Sequence, residues 1–400
     1  MRAPLEGVRV LDLTNVLAGP YCTFQLALLG AEVIKVEVPG SGDLARQLGA
    51  DSALNQVFMG ASFLAQNAGK RSVTINLKHP DGRRVFERLV VTADVLVENF
   101  RPGVMDRLGL GYEHLATLRS RLVYCAISGF GQDGPLSGHP AYDQVIQGLA
   151  GIMDVTGAEQ SGPLRVGFPI CDTIGGLAAA FAVAAALRES QQTGRGCLID
   201  VSMLEATLSS MGWVVSNFLI AGEAPQRSGN ENLTASPSGT FRTRDGLLNI
   251  AANKQEQFEA LCREIGRPEL VDDPRFADRE ARLRERGTLA AEIEEALAAR
   301  PAAEWEDVLN KVGVPAGRVL SVPEALAHPQ IAARRLVRRF EDAPGVGRDV
   351  AVATTGFTLS GERPAVQVPP PRLGEHTDEV LQSLGLTPEE IADLRRKRAI

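Results

Sequence analysis

Short apolar runs alternating with longer one-sided segments set the rhythm of the first half of the chain. Val8-Arg-Val-Leu-Asp-Leu13 predicts a buried strand, followed by a loop over Thr14-Asn-Val-Leu-Ala-Gly-Pro20. A helix is expected up to Gly30 as its stop, and Ala31-Glu-Val-Ile-Lys-Val-Glu37 predicts the next strand. The unit then recurs. Val73-Thr-Ile-Asn-Leu77 is half-alternating, and Pro80-Asp-Gly opens a helix carrying Val85, Phe86, Leu89 and Val90 on one side. Asp94-Val-Leu-Val97, Leu122-Val-Tyr-Cys-Ala-Ile127 and Gly196-Cys-Leu-Ile-Asp-Val201 predict further strands. Strands separated by helices indicate a parallel sheet, so an α/β, Rossmann-like large domain is expected.

The pattern changes near Ala221, where a polar linker-like run reaches Asn232. Beyond it, Arg244-Asp-Gly246 predicts a hairpin turn, and short helices are expected to about Gly313. A strand-like piece, Val350 to Phe357, and two closing helices follow, the last opened by a capping box with proline at its first position, Thr387-Pro-Glu-Glu390. The expected division is therefore 1–220 as the first part of the large domain, 221–325 as a smaller α+β domain, and 326–400 as the return segment. Four hundred residues exceed one ordinary core, in keeping with two domains.

Composition narrows the function. A 44% hydrophobic and 23% charged chain with net charge −7 reads as an ordinary globular enzyme and argues against nucleic acid as a partner. The longest apolar run, Leu177 to Leu187, is too short to span a bilayer, and the first residues lead directly into a strand, so a cytoplasmic protein without membrane attachment is expected. Five scattered cysteines read as reduced thiols. No Cys/His pair has zinc-ligand spacing, and no metal is expected. Glu37 falls near the place of a ribose-binding acid. The glycine fingerprint is missing, however, and Pro20 has no amide to give a phosphate, so NAD binding is a weak alternative.

The stretch with most chemical promise is Gly167-Phe-Pro-Ile-Cys-Asp-Thr-Ile-Gly-Gly176, a short strand expected to open into a helix of small and apolar residues. A helix apolar on every side predicts burial. Asp172 stands at its start, where unpaired amides and partial positive charge would hold a carboxylate ionised. It is either a helix cap or a buried nucleophile. Gly175 and Gly176 would let another backbone or a ligand come close. Basic residues gather at predicted strand ends and loops (Lys70, Arg71, Lys78, Arg101 and Arg107), an arrangement that suits a ligand with several phosphates, or else a solvated surface.

Taken in order, Val10-Leu-Asp-Leu-Thr, Ala18-Gly-Pro20, Leu29 to Glu37, Gly40-Ser-Gly-Asp43, Lys70-Arg-Ser72, Val97 to Gly103, Tyr142-Asp143, Thr193-Gly-Arg-Gly196 and Leu373 to Leu381 resemble the family III coenzyme A transferases. The resemblance implies that Asp172 is the nucleophile, passing through an aspartyl mixed anhydride and an aspartyl-CoA thioester with no tightly bound cofactor. It implies CoA contacts at Val16, Ile75, Lys78, Asn99, Phe100, Arg101 and Arg107, with Lys70 and Arg71 as further phosphate partners. Leu17, Tyr142 and Asp143 fall at the acyl site by the same likeness. It further implies an interlocked homodimer, acting on acyl-CoA and small carboxylic acids.

Departures bear on the substrate. Formyl-CoA transferases carry glutamine where this chain has Leu17 and arginine where it has Val38, and their glycine-rich closing loop has no counterpart here, the corresponding region being Asn230 to Gly239. Oxalate is thus a poor expected acceptor, and transfer from succinyl-CoA to a dicarboxylic acid is the favoured reading. Three rivals stay open. One is an α-methylacyl-CoA racemase, whose Gly-His-Asp-x-Asn-Tyr signature is not met by Gly138-His-Pro-Ala-Tyr142. The others are a thiol nucleophile at Cys171 and a CoA-binding protein without catalysis.

Overall fold

The computed structural model describes residues 3–400. Its chain forms two compact units, one of 1–152, 165–223 and 329–400, the other of 153–164 and 224–328. The sequence pattern places 153–164 in the large domain, but the structure gives that stretch to the second unit. Arg227 Nη1 bonds the Asp154 carbonyl at 2.9 Å and Gly229 N–H bonds the Gly157 carbonyl at 2.9 Å, which ties the segment to 224–328.

The first unit is built on six parallel strands: β1 (Arg9–Asp12), β2 (Glu32–Glu37), β3 (Lys70–Thr74), β4 (Val95–Glu98), β5 (Val123–Ser128) and β6 (Cys197–Ser202). Their order is β3-β2-β1-β4-β5-β6, that of a doubly wound dinucleotide-type sheet with its switch between β1 and β4. The period of two sorts the apolar residues onto two cores. Val10, Val33, Val95, Val97, Val123 and Cys125 face one, while Leu11, Ile34, Leu96, Tyr124 and Ala126 face the other. The third strand begins three residues before the half-alternating run at Val73, because Lys70, Arg71 and Ser72 pair with Val33, Ile34 and Lys35. Tertiary pairing overrides the polar start of the segment.

The helices that frame the site are α1 (Ala18–Leu28), α2 (Pro80–Val91), α3 (Asp143–Leu149), α4 (Ile170–Thr193), α5 (Met203–Ser210) and α6 (Trp213–Ala221). Gly19 and Pro20, expected in a loop, lie in the first turn of α1, a place where proline's missing N–H costs nothing. No strand precedes α4; Gly167 to Pro169 form an irregular bend.

Helix α4 also departs from the expectation of burial on every side. Only Cys171, Gly175, Gly176, Ala179, Val183, Leu187 and Ser190 are buried, a single stripe at helical spacing, while Phe181 is 78% exposed. Uniformly apolar composition hides which face packs. The glycines in the stripe admit close neighbours: a Cβ on Gly176 would stand 2.5 Å from the Ala18 carbonyl oxygen, and one on Gly175 would stand 3.0 Å from the Met203 side chain at Cγ. At 24 residues α4 is long and apolar enough, by length and composition, to cross a bilayer, which the central apolar run alone is not. Here its small residues pack against α1, α5, β5 and β6.

The second unit holds a three-stranded antiparallel sheet, β7 (Ser238–Arg242), β8 (Leu247–Ala251) and β9 (Ala316–Arg318), with helices over 255–264, 286–297 and 302–311. Phe241, Leu248, Ile250, Phe258, Leu289, Ile293 and Trp305 form its separate core. The return segment adds the antiparallel pair β10 (Val337–Phe340) and β11 (Val350–Ala353) to the first unit. The final helix starts at Pro388 with its capping box intact.

Candidate active site

The carboxyl ends of β1, β4 and β5 open into a cleft of about 270 Å³ in the first unit. Its lining includes Val16 and Leu17 from the loop after β1, Asn99, Phe100 and Arg101 after β4, His139 and Tyr142 after β5, and Asp172 from the first turn of α4. A crevice beyond the strand ends at the switch point is where open α/β sheets accept ligands. A larger hollow of about 680 Å³ in the second unit is lined mainly by glycines, asparagines and small apolar residues, with Ser238 and one acid, Glu231.

The loop after β1 is held in an unusual shape. Val16 has φ +69°, a left-handed conformation that a β-branched residue adopts only when its surroundings impose it. Asp43 Oδ1 accepts the Val16 N–H at 2.9 Å. The Asn99 side chain accepts the Asn15 N–H at 2.8 Å and donates to its carbonyl at 2.9 Å, matching both backbone groups of one residue. Asn15 carried no signal in the sequence; its role is in its backbone. Glu98 steadies the next loop by accepting the Phe100 N–H at 2.7 Å. Burial pushes the Glu98 carboxyl up to about 7, despite the Phe100 and Tyr124 donors that favour its ionised form.

Asp172 is only half of the acid chemistry in the cleft. The first-turn amides expected to hold it are taken by another residue: Asp143 Oδ1 accepts Cys171 N–H at 2.8 Å and Asp172 N–H at 3.3 Å. Asp143 therefore caps α4, and the Asp172 carboxylate is left without those donors. Burial, and then the charge of Asp143, lift the Asp172 carboxyl to about 7 instead of leaving it ionised well below neutrality. A carboxylate so poised is more basic and less solvated than an ordinary aspartate, which favours attack on a carbonyl once it ionises.

The other expected contacts are engaged within the fold or lie outside this cleft, His139 excepted. Lys70 is 1% exposed; its ammonium bonds Asp12 Oδ2 at 2.9 Å, the Pro20 carbonyl at 3.0 Å and Thr23 Oγ1 at 2.8 Å, so it has no hydrogen left for a phosphate. Ile75 lies in the core at 1% exposure. Asp143, expected beside the acyl group, is absent from the cleft lining because both its oxygens are engaged within the fold. Arg71 reaches Glu32 and Glu379 at 2.7 and 2.8 Å, while Lys78 and Arg107 are exposed and lie outside the cleft lining. Glu37, the ribose-acid candidate, is buried against Arg46 at 2.7 Å. His139, read as a loop residue, lines the cleft with its ring edge-on to Phe130 at 6.3 Å. The Cys171 thiol is raised by burial and sits at 0% exposure, which disfavours a thiolate nucleophile. Among the described residues no group of three or more His, Cys, Asp or Glu stands in a metal-binding arrangement.

Residues 5–377 match the family model described as CoA-transferase family III. This protein belongs to the family III CoA-transferases. It is 41% identical over 375 residues to an acetyl-CoA:oxalate CoA-transferase of Acetobacter aceti, which covers 94% of each chain. It is 35% identical over 381 residues to a succinyl-CoA:glutarate CoA-transferase of Mus musculus, covering 95% of this chain and 86% of the mouse protein. The crystal structure of a CaiB/BaiF family protein from Brucella suis superposes with a TM-score of 0.84 at 34% identity, over 96% of this chain and all of that one. This CoA-transferase therefore has relatives named for two different dicarboxylate acceptors. One of them, 41% identical, is named for oxalate, the acceptor that the departures at Leu17 and Val38 speak against.

Proposed function

We propose that this enzyme moves CoA from a short acyl-CoA donor to a dicarboxylic acid, with Asp172 as the nucleophile. One observation carries the reading: a half-buried carboxylate at the mouth of α4, lining a cleft at the sheet's switch point, with its carboxyl raised to about 7. In the first step the Asp172 carboxylate attacks the thioester carbonyl. The C–S bond breaks, giving an acyl-aspartyl anhydride and CoA thiolate. The thiolate attacks the aspartyl carbonyl, releasing the first acid and leaving an aspartyl-CoA thioester. The acceptor carboxylate attacks that thioester in turn, and thiolate return to the acceptor's acyl group regenerates Asp172. Overall one thioester is exchanged for another, so the residues need only position and activate.

Phe100 and Asn99 supply an apolar wall and an amide for the pantetheine side, and exposed Arg101 offers charge to the donor's phosphates. Leu17 and Tyr142 bound the acyl group. Sequence departures at Leu17 and Val38, together with the relatives named for succinyl-CoA and glutarate, favour succinyl-CoA as donor; acetyl-CoA is the alternative donor. Homodimerisation, interlocked or not, is part of the proposal: α6 has no buried residue, with Trp213 79% and Ile220 86% exposed, an apolar surface suited to a second copy. Five free cysteines fit a reducing cytoplasm.

The test is incubation with succinyl-CoA or acetyl-CoA and a panel containing oxalate, glutarate and longer dicarboxylates, with new CoA thioesters read by mass. We expect transfer to at least one acid, hydroxylamine-sensitive CoA on Asp172, and loss of turnover by roughly a thousandfold or more in Asp172→Asn. The rate should rise with pH through about 7 as the nucleophile ionises. Turnover by Asp172→Asn at the wild-type rate would overturn the assignment. A racemase or a passive CoA binder would yield no hydroxamate.

A further inference from the structure

Beneath Asp172 lies a carboxamide that no part of the proposed chemistry uses. Gln147, on α3, is 0% exposed, yet every polar atom of its side chain is engaged. Its Nε2 donates to Asp143 Oδ2 at 2.6 Å and to the Phe168 carbonyl at 3.3 Å, and its Oε1 accepts the Val166 N–H at 2.8 Å. Asp143 in turn accepts the amides of Cys171 and Asp172. One side chain thus grips the irregular bend 166–168 and, through Asp143, the first turn of α4.

The bend has little else to define it. It is neither helix nor strand, and its remaining local bonds run from Ile170 N–H to the Phe168 carbonyl at 2.8 Å and from exposed Arg165 Nε to the Val166 carbonyl at 3.3 Å. Backbone in such a segment takes its geometry from side-chain partners. We infer that Gln147 is a positioning residue of the transfer reaction, setting the bend and the capping acid so that the Asp172 carboxylate is aimed into the cleft. The inference rests on the nucleophilic role of Asp172. A donor-acceptor pair is what this place requires: it must give a hydrogen to a carboxylate on one side and take one from an amide on the other. Glutamine does both with one planar group.

Misplacing a nucleophile by a fraction of an ångström lowers the rate of attack while leaving the rest of the substrate's binding surface intact. Gln147→Met keeps the length and removes all three hydrogen bonds. We expect kcat to fall at least tenfold with KM for the acyl-CoA within twofold, and single-turnover formation of the hydroxylamine-sensitive thioester to slow by the same factor. A folded Gln147→Met protein whose kcat and trapping rate stay within twofold of wild type would overturn the inference. Absence of the thioester in the wild type would instead remove the nucleophile reading, and the inference with it.

If Gln147→Met fails to fold, Gln147→Glu decides. Protonated, the new carboxyl still donates to Asp143 and accepts from Val166; ionised, it repels Asp143. The ionisable groups around this clamp are Asp143 on α3, Asp172 and Cys171 on α4, and Arg165, whose Nε donates to the Val166 carbonyl at 3.3 Å. His139 and Tyr142 also line the cleft, and Glu205 is the charge on α5. Activity of Gln147→Glu should drop at least tenfold at pH 8, where the wild type stands on its plateau. A Gln147→Glu protein that keeps the wild-type plateau at pH 8 would overturn the inference.

Discussion

Asp12 and Asp172 are both acids withdrawn from water in the same compact unit, and their surroundings lead them in opposite directions. Asp12, at the end of β1, faces Lys70 Nζ at 2.9 Å and Lys35 Nζ at 3.8 Å and accepts from the hydroxyls of Thr14 and Thr23. Burial opposes its charge, but the two ammonium groups and the hydroxyls outweigh it and hold its carboxyl well below the usual carboxylate range. The cluster extends through Asp43, 3.0 Å from Lys35, to the Val16 amide, so it braces the strained loop at the cleft. Asp172 has no cation among the causes of its shift, only burial and a second acid, and rises to about 7. Compensated charge builds a platform. Uncompensated charge is left for reaction.

The comparison breaks first at Asp12. Asp12→Asn strands Lys70 in the core without its carboxylate, and unfolding by denaturant should show a loss of about 3–5 kcal/mol. A loss below 1 kcal/mol would show the cluster to be dispensable. The next largest effect is a gain. In the unfolded chain Asp172 ionises near its ordinary value of 3.8, whereas in the fold it keeps its proton to about 7, so stability is lost as pH rises between these values. Asp172→Asn has no such loss and should exceed the wild type in stability at pH 8 by roughly 1–3 kcal/mol, with the gap closing near pH 4. Equal stabilities at both pH values would show that the acid is not strained by its site. The smallest effect concerns Arg71, tied to Glu32 and Glu379 on the surface. Arg71→Ala should change stability by less than about 1 kcal/mol and leave KM for the acyl-CoA unaltered. A KM raised tenfold would return Arg71 to the phosphate site.

Much of the sheet was legible because its strands are continuous apolar runs, and five of the six were placed within a residue or two. The third shifted because Lys70, Arg71 and Ser72, polar by composition, are drawn into the ladder by β2. The same burial explains Lys70 in the site. A lysine in an acidic chain reads as surface charge, and only the fold reveals Asp12 opposite it, 58 residues away. Asp172 drew notice from its helix start, and Phe100 and Tyr142 from the likeness of short motifs; all three line the cleft. Gln147 was not found, since a lone glutamine on a helix carries no pattern until its three partners are brought around it.

The order of apolar and polar residues determined that this chain makes a parallel α/β sheet, because a period of two or 3.6 decides locally which side of an element must leave water. Its motifs determined its family. The tertiary structure alone decided which charges are spent inside the fold and which stand free, because electrostatic compensation depends on distances across the chain. That Asp143, and not Asp172, receives the helix amides could be learned nowhere else.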